Sequence, residues 1–123
     1  MENINKITGR REDLIMNAQF KKGALELCVL VCIAEKDQYG YELSQNISRY
    51  MAIAEGTLYP LLRRLTKEEY LETYMAPSSE GPARKYYTLS KLGVMRMKLL
   101  LAEWDQFTAS VNQIIDAARG GER

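Results

Sequence analysis

Arg63 and Lys67 stand four residues apart in AEGTLYPLLRRLTK, and Arg84 and Lys85 adjoin in GPARKYYTL. Guanidinium and ammonium groups donate charge-assisted hydrogen bonds, and a cluster of them is a site for phosphate oxygens. Other chemistry is poorly supplied. The chain has no histidine, which excludes a histidine general base and a histidine-containing zinc site. It also lacks a nucleophile elbow, a phosphate-binding glycine motif and a metal-ligand cluster, so an enzyme is the weakest reading and no cofactor is expected. With 17 basic and 16 acidic residues in 123, the net charge is +1, and any case for an anionic partner must rest on where the cations lie.

The element that must carry Arg63 and Lys67 contains a proline, Pro60, where proline removes a hydrogen bond and crowds the preceding turn. Placed on a helix, Leu58, Leu61, Leu62 and Leu65 gather into one stripe. Gly56, Pro60, Arg63 and Lys67 form the opposite stripe, flanked by Thr57, Tyr59 and Arg64. The carbonyl that Pro60 leaves unbonded, that of Gly56, then faces away from the core. If the helix starts only at Thr57, Pro60 falls where an amide has no partner anyway. Gly56 also permits close backbone approach, and a helix N-terminus suits phosphate. The alternative is a solvated basic face balanced by Glu68 and Glu69.

Two helical segments precede this one. Gly23 to Glu35 is mostly apolar; KDQYG breaks it, and YELSQNISRYM follows with Leu43, Ile47 and Met51 inward and Gln45, Ser48 and Arg49 outward. Cys28 and Cys32 share one face of the first segment and read as core thiols, with a redox pair as the alternative. After Glu69 the period changes to two. YLETYM sets Leu71, Thr73 and Met75 opposite Tyr70, Glu72 and Tyr74, and RKYYTL sets Lys85, Tyr87 and Leu89 opposite Arg84, Tyr86 and Thr88. APSSEGPA between them predicts a polar loop too long for a two-residue hairpin. The tyrosines read as cross-strand packing.

Ser90 is the expected N-cap of a last helix of about 28 residues, roughly 42 Å long. Met97, Leu101, Trp104, Thr108, Val111, Ile115 and Ala118 recur in steps of four and three, the spacing of a helix–helix seam. Leu100, Phe107 and Ile114 form a further apolar face, and a second copy of the chain is the expected cover. The expected divisions are an N-terminal segment, partly helical or disordered (1–22), a winged helix-turn-helix (23–90), a dimerisation helix (91–118) and a flexible tail (119–123). The fold class is mainly α with a small β-hairpin.

In this order, FKKGALELCVLVCIAE, YGYEL, GTLYPLLRRL and GPARKYYTLS resemble the PadR family of bacterial transcriptional regulators. The terminal AEW and FTASVNQII resemble its short subfamily, which includes multidrug-binding repressors. The resemblance covers about Phe20 to Ala118, and it implies a homodimer that binds a pseudo-palindromic operator in double-stranded DNA and represses transcription. It carries DNA contacts over to Tyr41, Thr57, Tyr59 and Arg63, and wing contacts to Arg84 and Lys85. Gly56, Pro60 and Lys67 join them from the helix face described above. Ala54 departs from the family's usual capping serine or asparagine. In the multidrug-binding members the tryptophan matching Trp104 and its symmetry mate sandwich flat aromatic ligands. That implies a planar aromatic effector lined by Met97, Leu100, Leu101, Trp104 and Phe107; the plain alternative is a dimer-interface anchor.

A winged helix used as a protein-interaction module is the competing reading, and it would not need Arg63, Lys67, Arg84 and Lys85 to converge. No long apolar run and no signal peptide are recognised, so the expected location is the cytoplasm, with no membrane contact.

Overall fold

The computed structural model describes residues 18–120. The expectations for residues 1–17 and 121–123 lie outside it. The elements run α1 (Ala18–Glu35), β1 (Gln38–Tyr39), α2 (Gly40–Ser48), α3 (Glu55–Lys67), β2 (Leu71–Ser78), β3 (Gly81–Leu89) and α4 (Lys91–Gly120). Helix α1 begins before Gly23, because nothing in AQFKK breaks a helix. Helix α4 continues past Ala118 through Arg119 and Gly120.

The helices α1, α2 and α3 close around one core. It holds Val29, Leu30 and Ile33 of α1, Leu43 and Ile47 of α2, and Leu58, Leu62 and Leu65 of α3, roofed by Leu71 and Tyr87 from the sheet. Each fully buried leucine contributes roughly 1.5–3 kcal/mol relative to exposure. Met51 and Leu61, also expected inside, are partly buried against this cluster. Cys28 and Cys32 are half-buried rather than fully buried, remain free thiols, and are pushed up in pKa by burial.

Two expectations about the sheet are corrected. The hairpin tip is short, with Ser79 and Glu80 alone between the strands, so most of APSSEGPA is strand. Pro77 is accommodated because β2 is an edge strand, where its missing donor breaks no ladder, and the register shifts between Ala76 and Ser78. The hairpin is also joined by a third strand. Gln38 pairs with Tyr87 and Tyr39 with Tyr86, giving an antiparallel sheet in the order β1-β3-β2.

The junction of α3 and α4 is tightly built. Glu69 adopts φ 69° after α3, its N–H bonds Thr66 O at 3.0 Å and the Tyr70 N–H bonds Leu65 O at 3.0 Å, which is a Schellman ending. Ser90 caps α4 as expected: the Gly93 N–H donates to its Oγ at 2.9 Å. The same hydroxyl reaches back to the Glu69 carbonyl at 2.6 Å.

Candidate nucleic-acid interface

Helix α3 starts at Glu55, so Pro60 lies more than a turn inside and the late-start reading fails. The outward-face reading holds: Gly56, Pro60, Arg63 and Lys67 are all exposed. Ala54 offers no side-chain cap, but its carbonyl accepts from Thr57 N at 2.9 Å and Leu58 N at 3.1 Å. Glu55 puts an exposed carboxylate in the first turn. It satisfies the helix dipole, so attraction for an anion on this face falls to Arg63 and Lys67.

Thr57 and Tyr59 are half-buried beside this face. The Tyr59 ring lies against Gly40, the first residue of α2, and the next residue, Tyr41, is 56% exposed. Tyr87 on β3 adjoins α3: burial first, then neighbouring Tyr59, push its phenol up in pKa, while Arg63 pulls it down. Strand alternation sets Lys85 on the same sheet face as Tyr87, and it is exposed. The first turn of α2, the outer face of α3 and the Lys85 face of the wing therefore adjoin.

Arg84 points the other way. Its guanidinium sits 4.5 Å above the Tyr39 ring and donates to the Tyr39 hydroxyl at 3.1 Å. Tyr39 meets Tyr86 edge-on at 5.4 Å, and Tyr86 stacks on Tyr74 at 5.6 Å. The Tyr74 hydroxyl donates to Asp37 Oδ2 at 2.7 Å, a bond that raises its pKa. The expected convergence of Arg84 with Lys85 is thus corrected: adjacent strand residues face opposite sides, and Arg84 braces the back of the wing.

Arg64, read from the sequence as a flank of the outward face, also turns inward. Its Nη2 donates to Glu26 Oε1 at 3.1 Å and its Nη1 to Glu68 Oε1 at 2.9 Å. Arg96 Nε donates to the other Glu26 oxygen, Oε2, at 2.8 Å. Burial pushes the Glu26 carboxyl up, but the hydrogen bonds and charges of Arg96 and Arg64 outweigh it and hold the pKa below 4.5. Only the charged residue inside apolar ALELCVL hinted at this role.

On α4, Leu100, Trp104 and Phe107 line a groove of about 240 Å³ with Gly23, Ala24, Leu27 and Glu103. Trp104 is 43% exposed, and its ring centroid lies 6.4 Å from that of Phe107. Met97 packs on the core and Leu101 faces outward, so neither lines the groove. Further along the seam, Thr108 and Val111 are half-buried, while Ile115 and Ala118 are exposed. Among the described residues no group of three or more His, Cys, Asp or Glu could hold a metal, and no helix is long and apolar enough to cross a membrane.

Residues 29–99 match the model of the transcriptional regulator PadR-like family. An uncharacterized protein of Lysinibacillus sphaericus is 42% identical over 99 residues, covering 77% of this chain and 87% of that protein. A Streptococcus transcriptional regulator of known structure is 40% identical with a TM-score of 0.73, covering 80% of this chain and 98% of its own. A PadR-like transcriptional regulator from Bacillus cereus is 36% identical, also with a TM-score of 0.73, over 79% and 96% of the two chains. Family match and winged-helix fold agree, and the chain belongs to the PadR-like family of transcriptional regulators, DNA-binding proteins rather than enzymes.

Proposed function

We propose that the protein is a cytoplasmic homodimeric repressor. Two copies of α3 enter successive major grooves of a pseudo-palindromic operator, and the apolar side of each α4 packs against the partner subunit. The observation that carries this reading is the exposed stripe of Gly56, Pro60, Arg63 and Lys67 on α3, with Thr57, Tyr59 and Tyr41 beside it and Lys85 exposed on the Tyr87 face of the wing. Arg63 and Lys67 flank or enter the groove, while Tyr41, Tyr59 and Lys85 bond phosphates and fix register. Support for the dimer comes from α4, where Leu99, Leu101, Trp104, Phe107, Ile114 and Ile115 are exposed in one chain.

A planar aromatic effector enters beside Trp104, between α1 and α4, and releases the operator by shifting α4. Leu100, Trp104 and Phe107 supply the aromatic and aliphatic walls.

The test combines sedimentation, gel shift and fluorescence. The chain should sediment as a dimer at micromolar concentration and bind DNA from upstream of its own coding region with a steep salt dependence. Flat aromatic compounds should quench its sole tryptophan saturably and weaken that binding. A monomer, or salt-insensitive binding, would refute the core of the reading; quenching by none of a compound panel would remove only the effector.

A further inference from the structure

Among the described residues Glu26 is the only buried charged side chain, 7% exposed in the middle of α1. It is gripped from two other helices, by Arg64 of α3 and by Arg96 of α4. Each arginine has a second anchor: Arg64 pairs with Glu68, and Arg96 lies 5.5 Å from the Tyr70 ring centroid. Burying a carboxylate in this way is a poor route to stability, because desolvation consumes most of the Coulomb energy. What it does supply is geometry, since a carboxylate with one oxygen on each guanidinium holds both in place.

The turn that follows α3 touches the start of α4. Ser90 binds the Glu69 carbonyl, and Gly93 lies so close to the Tyr70 carbonyl that a Cβ there would be 2.1 Å from the oxygen. Otherwise α4 packs along α1, where Leu27 and Leu100 share a groove, so the angle between α3 and α4 is set through α1. Glu26 is the α1 residue that grips both, through Arg64 and Arg96. From Gly93 to the end of α4 is about 40 Å, so a tilt of about 5° would move that end by about 3.5 Å. That is about the rise of one base pair.

We propose that Glu26 is a positioning residue for DNA recognition: by holding Arg64 and Arg96 together it fixes the angle between α3 and α4, and so sets the half-site spacing that the dimer accepts. This rests on the dimeric operator-binding reading given above. Arg63 and Lys67 turn with Arg64, because all three are on α3. The groove on the other side reports to the same joint: Leu27 follows Glu26 in α1, and Leu100 lies about one turn beyond Arg96 in α4.

The experiment selects a random duplex library on the full-length protein to obtain its preferred operator, then measures affinity with one or two base pairs inserted or removed at the centre. The wild type should lose at least about tenfold per inserted base pair, as expected for rigidly spaced recognition helices. Glu26→Gln, isosteric but neutral, should lose less than about threefold while its best affinity falls. Arg96→Met should flatten the profile in the same way. Ile33→Val, a core change away from the network, should lower Tm and keep the wild-type profile.

An unchanged profile in Glu26→Gln or Arg96→Met overturns the proposal, as does a flattened profile in Ile33→Val. Should both network variants fail to fold, Arg64→Met replaces them; it removes the other grip on Glu26, and a wild-type profile from it likewise overturns the proposal. Failure of the wild type to enrich any duplex, or enrichment of single half-sites alone, overturns the operator-binding reading beneath it, a result distinct from an unaltered spacing profile.

Discussion

The ring of Tyr59 on α3 fills the space that a side chain at Gly40 would occupy: a Cβ there would lie 2.6 Å from Tyr59 Cε1 and 3.1 Å from its hydroxyl oxygen. The first turn of α2 and α3 are fitted to each other at this point, one residue before Tyr41. Gly40→Ala should therefore push the ring aside and cost about 1–3 kcal/mol, the usual penalty for overpacking. Urea unfolding gives the stability loss. Gly40→Ala in a Tyr59→Ala background should cost less, because the obstructing ring is gone.

Gly93 and Gly56 make a contrasting pair. At Gly93 a Cβ would meet the Tyr70 carbonyl oxygen at 2.1 Å and Leu89 Cδ1 at 2.7 Å, and a backbone oxygen cannot rotate away. Gly93→Ala should lose about 3 kcal/mol or more. At Gly56 nothing lies within 4 Å, so Gly56→Ala should gain up to about 1 kcal/mol of helix propensity. If backbone at Gly56 approaches DNA, the more stable protein should bind its operator less tightly in a gel shift.

Acid stability should depend on Glu26. Its folded pKa is depressed below the ordinary value of 4.5, so its contribution is fully present above that pH and is lost as pH falls through the folded pKa. Thermal melts between pH 6 and pH 3 should show the wild type losing stability more steeply than Glu26→Gln. Parallel curves would assign the acid sensitivity to other carboxylates.

Arg63, Lys85 and Arg84 should separate by readout. Arg63→Ala and Lys85→Ala are expected to weaken operator binding by about 1–3 kcal/mol with little change in Tm, each reducing the salt slope by about 1. Arg84→Ala should instead lower Tm, because it removes the contact with Tyr39 at the back of the wing. A salt slope reduced by Arg84→Ala, with Tm unchanged, would return that residue to the DNA face.

Periodicity carried the local elements well. The leucine stripe of α3, the alternation of the two long strands and the Ser90 cap all follow from residue types a few positions apart. Strand β1 did not, because two residues carry no period and pair only with β3. The hairpin tip differs from its local signals for a related reason: Pro77 and Gly81 favour a turn, and only the edge position of β2 makes a strand tolerable there. Glu26 was illegible as a joint because its partners lie 38 and 70 residues away. Alternation already sets Arg84 and Lys85 on opposite faces of β3, but only Tyr39 of the short third strand shows that the Arg84 face is occupied.

The order β1-β3-β2 also has a bearing on solution behaviour. Its two open margins are β1, two residues long, and β2, which carries an exposed Glu72, Pro77 and an irregular register near its tip. A strand from another molecule needs a row of free donors and acceptors to zip onto: β1 is too short to supply one, and on β2 the regular run from Leu71 to Ala76 is cut off by Pro77 and the register shift. The tip of the wing is therefore the part of the sheet least able to recruit a strand from another molecule.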